Sequence, residues 1–174
     1  MDSRVRIGEL PANSLLLGLK ASGAYVDCYL AELPCAVSHA HFVQAFYTGR
    51  LFNVERLLIR LLLKRASTDA EVRLLADGQL QTFAAWRVEA RATNQILLAD
   101  LSGHTRSWLM VEALDPAQPS IGTRLYFGSA LMPARNKERA RTLGPRLVFS
   151  RLMMRFHKLY SRLLLRAAVA RLSP

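Results

Sequence analysis

Four histidines, two cysteines and a few carboxylates set in apolar segments are the side chains of this chain suited to chemistry, and their spacing decides what they can do. His39 and His41 stand two apart at the start of an expected helix, so they point about 200° from each other and cannot share a metal there. His104 and His157 are isolated in sequence. Cys28 and Cys35 lie seven apart, which is neither CxxC nor part of a four-ligand set; two free thiols of a reducing compartment are expected. Ser102-Gly103-His104 sets a hydroxyl near a base, but a Ser-Gly pair between two alternating runs is a hairpin turn rather than a nucleophilic triad. Asp27 and Asp100 sit on or at the end of strands. A lone carboxylate serves as general base only when burial raises its pKa. The nine glycines are scattered singly, so no phosphate loop is present. Catalytic residues therefore stay unassigned, and neither metal nor cofactor is expected.

Two groups of residues could bind. Trp86, Arg106, Trp108 and Tyr126 fall on strand-like segments, and an apolar wall with a few polar groups is what a small-molecule site requires. Tyr25 and Asp27 are weaker candidates of the same kind. The run from His104 has apolar residues of both parities, so its inward face stays open; ordinary core tryptophans with Arg106 facing outward are the competing reading. The second group follows from charge. Residues 1–132 carry 13 Lys/Arg against 12 Asp/Glu, whereas residues 133–174 carry 11 against Glu138 alone, so +10 of the net +11 lies in the last quarter. On a helix, Arg151, Arg155, Lys158, Arg162 and Arg166 occupy an arc of about 80°. Leu152, Met153, Phe156, Leu159, Tyr160, Leu163, Leu164 and Ala167 face away from it, and Phe156 and Leu159 would line a ligand cavity. Met154, Leu165 and Val169 lie in or beside the basic arc, as apolar groups do on surfaces that touch membranes or partners. A solvated basic face is the plainer alternative.

The elements that must hold these groups read as α+β. A helical turn is expected at 14–21 with Asn13 as cap and Gly23 as stop, then a strand at 24–31 that sorts Tyr25, Asp27 and Tyr29 from Val26, Cys28 and Leu30. Pro34 ends it. Ser38 caps a helix to Tyr47, and Asn53 caps a stronger one at 54–64. Thr68 and Glu71 have capping-box spacing, with Asp77-Gly78 as the stop. Strands follow at 83–92, 95–101, 104–114 and 123–132, an antiparallel meander with tight turns at Thr93-Asn94 and Ser102-Gly103. One domain over 1–174 is expected, with 1–12 as an N-terminal extension, 133–144 as a basic linker and 145–172 as a C-terminal amphipathic helix. The chain opens without a signal-like apolar stretch and has no span-length apolar run, so a cytoplasmic protein is expected. The excess of Arg over Lys fits GC-rich bacterial coding.

The segments LPANSLLLGLKASGAYVDCYLAELP, AFYTGRLFNVERLLIRLLLKR, WRVEARATNQILLADLSGHTRSWLMVEALD and TRLYFGSALMP ahead of a long helix resemble a bacterial family of unknown function. That family is similar to the START, or polyketide-cyclase-like (SRPBCC), superfamily. The resemblance implies a helix-grip fold: a curved antiparallel sheet of about five or more strands packed on a long C-terminal helix, with two or three short helices after the first strand. It also implies a cavity for an apolar ligand between sheet and helix, and carries no catalytic residues. Binding a small apolar or amphipathic molecule is accordingly the leading functional expectation. A basic adaptor for lipid headgroups or nucleic acid comes second, and a cyclase- or hydrolase-type enzyme third. The oligomeric state is left open.

Overall fold

The computed structural model describes residues 4–49, 68–132 and 144–173, with side chains in the last stretch from Met154 onward. Seven strands form one open antiparallel sheet: β1 Arg6–Ile7, β2 Tyr25–Leu33, β3 Thr82–Phe83, β4 Trp86–Ala92, β5 Gln95–Asp100, β6 Thr105–Ala113 and β7 Thr123–Leu131. Their order across the sheet is β1-β2-β7-β6-β5-β4-β3. The meander supplies β4 to β7 by sequential hairpins, and β2 crosses to pair with β7, so the early and late strands close one continuous surface. Four helices are described: α1 Leu17–Ala21, α2 His39–Tyr47, α3 Asp69–Ala76 and α4 Gly144–Leu172.

The caps act locally. Ser38 accepts the His41 amide at 3.2 Å to open α2, and Thr68 with Glu71 completes a reciprocal box that opens α3. Gly78, at φ 81°, takes the left-handed turn after α3 that a side chain disfavours. The helix expected at 54–64 lies outside the described residues, as does the basic linker expected at 133–144 except for Gly144, which begins α4. Two differences from expectation have simple causes. Ala84 adopts φ 51°, a tight turn that splits the strand expected at 83–92 into β3 and β4. The short β1 arises within the stretch expected to be an extension, because Arg6 and Ile7 find an open edge on β2.

Strand alternation sorts two cores. Tyr29, Ala31, Leu33, Ile96, Leu98, Leu109, Leu125 and Phe127 face α2, α3 and α4, where Phe42, Phe46, Tyr47, Leu75 and Leu165 meet them. Cys28, Leu97, Trp108, Met110, Tyr126 and Ala130 face the other way, onto Leu16 just ahead of α1. The inward face of β6 thus resolves: Ser107 and Leu109 point to the helices, and Trp108 and Met110 point to α1. Among the described residues no helix is long and apolar enough to cross a membrane.

The phase of α4 corrects the sequence reading. Its buried residues are Ser161, Leu164, Leu165, Ala168, Val169 and Leu172, whereas Phe156 is 61% exposed, Leu159 56% and Leu163 39%. Leu165 and Val169, expected beside the basic arc on the surface, are core. Small Ser161 and Ala168 let the helix backbone approach β2 and β7, which outweighs burying the larger Phe156 and Leu159.

Candidate ligand cavity

Between α4 and the sheet lies a cavity of about 320 Å³, walled by Phe46, Trp86, Phe127, Tyr160 and Leu164 and edged by Asp100, Thr105, Ser107, Ser129, His157 and Ser161. Its existence follows from side-chain size. Register places Ser107 of β6 opposite Ser129 of β7, and Ser161 of α4 is buried with them on the helix side, so three small side chains stand where large ones would fill the gap. The volume is at the lower end of small-molecule sites.

The polar edge is organised around two hydrogen-bonded groups. Ser107 Oγ and Tyr47 Oη lie 3.0 Å apart, tying β6 to the end of α2. Asp27, Ser129 and His157 form the second. Ser129 Oγ donates to Asp27 Oδ1 at 2.5 Å and lies 2.7 Å from His157 Nε2, and that same nitrogen is 3.5 Å from Asp27 Oδ2. The Ser129 amide also donates to Asp27 Oδ1, at 3.2 Å. A nucleophilic triad sets the carboxylate on Nδ1 and the hydroxyl on Nε2. Here both reach Nε2, so the cluster bolts α4 to β2 and β7 and lines the cavity with a hydroxyl and an imidazole. The neighbouring Tyr29 phenol is pushed up, first by burial and then by the charge of Asp27.

At the far edge Asp100 is set by competing effects. Burial opposes its charge, but hydrogen bonds from Ser102 Oγ and from the Thr105 and His104 amides prevail and hold its carboxyl below the ordinary range. His104 Nδ1 is 3.0 Å from Ser102 Oγ, so the Ser102-Gly103-His104 stretch is an exposed turn locked by Asp100. Trp86 Nε1 is buried with no acceptor among the described residues.

Of the six residues expected in the cavity, Trp86 lines it through its ring and Arg106 only borders it. Arg106 pairs with Ala99 and Ala130, which puts its side chain on the α1 face; there Nε stands 2.9 Å from Glu89 Oε2, without the alignment of a hydrogen bond. Trp108 and Tyr126 belong to the α1 face outright. Trp108 is fully buried and donates from Nε1 to Gln95 Oε1 at 2.9 Å, and Tyr126 donates to Glu112 at 2.8 Å. Phe156 and Leu159 are on the outer surface of α4. Tyr25 faces α4, where Lys158 Nζ lies 5.7 Å from the centre of its ring. Of the basic arc, Arg155, Lys158, Arg162 and Arg166 are exposed, and the Arg151 side chain lies outside the described residues. Sequence reading missed Ser107, Ser129, His157 and Phe127. Strand parity could have found Ser129 and Phe127 by pairing β7 with β2, but His157 required the correct helix phase.

The Cys28 thiol stays structural: burial, followed by the nearby Asp27 charge, pushes it up to about 12, too high for a thiolate nucleophile. Among the described residues no cluster of three His, Cys, Asp or Glu side chains could hold a metal ion. No family model, curated protein or solved structure matches this chain. What fold and site define together is an α+β protein with an open seven-stranded antiparallel sheet, a long C-terminal helix across one face and a cavity between them.

Proposed function

We propose that this chain is a binding module of helix-grip type, related to the START-like superfamily, that takes a small apolar or amphipathic molecule between α4 and the sheet. The observation that carries the reading is the cavity: four aromatic rings and Leu164 supply apolar wall, and Ser107, Ser129 and His157 supply polar groups at its edge. Ser107, Ser129 and His157 favour a ligand bearing one oxygen that can hydrogen-bond at the polar edge. Catalysis has less support. Buried Asp27 and the imidazole beside it are committed to holding α4.

The test is ligand-dependent stabilisation. Naphthol and nonanone, each apolar with one oxygen, are expected to raise Tm with the logarithm of their concentration above Kd, the stabilisation reaching about 2.7 kcal/mol at a hundred times Kd. Ser161→Leu, which fills the cavity from the helix side, should abolish the shift while the variant remains folded by circular dichroism. If Ser161→Leu does not fold, Ser107→Val serves from the sheet side. An unchanged Tm for wild type with both compounds would refute the proposal.

A further inference from the structure

The rotation of α4 that buries Ser161 and Leu165 turns an unusual combination outward. Phe156, Leu159 and Leu163 form an apolar ridge about 10 Å long on solvent-exposed helix, with the Phe156 and Tyr160 rings stacked 6.1 Å apart beside it. Arg155, Arg162 and Arg166 line one flank of that ridge, and Lys158, over the Tyr25 ring, stands beyond them toward the sheet; all four are exposed. Among the described residues no carboxylate pairs with any of these four, and α4 contains no acidic residue over its whole length. We infer that the outer face of α4 seats the protein on an anionic lipid bilayer, with the ridge set among the acyl chains at the interface and the three flanking arginines on the headgroup phosphates.

Charge and shape select this occupant over the others. A second copy of the chain packed ridge to ridge would oppose three arginines with three arginines, and like charges across an interface work against assembly. A nucleic acid would meet the cations but would leave Leu159 and Leu163 against phosphates and water. A bilayer interface satisfies both sets at once, which is the pattern of helices lying in the membrane plane. The inference stands apart from the ligand proposal, since it uses the opposite face of the same helix.

Flotation with vesicles tests it, using phosphatidylcholine alone and phosphatidylcholine mixed two to one with phosphatidylserine. Wild type is expected to float with the mixed vesicles, to be released by rising salt, and to ignore the neutral ones. The triple variant Arg155→Gln, Arg162→Gln, Arg166→Gln should lose on the order of a hundredfold in partitioning, at about fivefold per cation. The triple variant Phe156→Ser, Leu159→Ser, Leu163→Ser should also lose binding, with an unchanged circular dichroism spectrum. As a single-site control, Phe156→Trp should blue-shift on binding and be quenched by brominated acyl chains. Failure of wild type to float overturns the inference. So does undiminished binding by the serine variant, which would leave only charge adherence. Self-association cured by that variant would make the occupant a second copy, and tight, ridge-independent retention on duplex DNA would make it a nucleic acid; either result overturns the bilayer.

Discussion

The two faces of the sheet bury comparable side chains to opposite ends. On the α1 face the largest buried group is held by a hydrogen-bond network. Trp108 donates to Gln95, whose Oε1 also accepts the Leu15 amide and whose Nε2 donates to the Asn13 carbonyl. Gly128 is what makes that fit: a Cβ there would stand 2.6 Å from Leu16 Cδ1 and 2.9 Å from Trp108 Cε3. The α4 face has the larger core, yet Ser107, Ser129 and Ser161 leave it incompletely filled between helix and sheet. The unfilled space thus comes from small polar residues at the interface and not from the large aromatics, which serve equally well to close a core.

Breaking the sealed face should cost most. Trp108→Ala is expected to lose about 3–5 kcal/mol in urea unfolding, from the ring volume and the stranded Gln95. Leu165→Ala, at a fully buried position of α4, should lose about 2–5 kcal/mol. Acid should remove up to about 3 kcal/mol through His39, which burial, aided by the Arg91 charge, lowers to about 4. The sign is fixed by proton uptake. Below the unfolded value near 6.5 the unfolded chain binds a proton that the folded chain refuses, so stability falls from pH 6.5 to 4 and is unaffected above that window. His39→Gln should flatten the slope there. Gly128→Ala should lose about 1–3 kcal/mol by overpacking. Least affected is the outer face: Phe156→Ser should stay within about 0.5 kcal/mol of wild type.

Local signals were legible wherever a few neighbouring residues decide the outcome. The Ser38 and Thr68 caps, the Gly78 stop, the two tight hairpins and the parity of Tyr25, Asp27 and Tyr29 all follow from short-range chemistry. The placement of a cavity between the last helix and the sheet was anticipated, but most of its lining was not. The reason lies in α4, where Met154, Phe156, Leu159, Tyr160, Leu163, Leu164, Leu165 and Val169 surround the axis, so no single stripe stands out by size. The buried stripe was chosen by Ser161 and Ala168, residues a hydrophobicity count passes over. Fixing the wrong phase moved Phe156 and Leu159 inward and His157 out of view. On the sheet, the both-apolar parity of β6 concealed that Trp108 serves the other core.

The two tryptophans allow a direct test of the cavity as the binding site, because each reports one face of the sheet. In a proton–nitrogen correlation spectrum, titration with naphthol should shift the Trp86 indole N–H progressively and leave the Trp108 indole N–H, held by Gln95, where it was. Shifts of both indoles together, or of neither at saturating naphthol, would contradict a ligand site between α4 and the sheet.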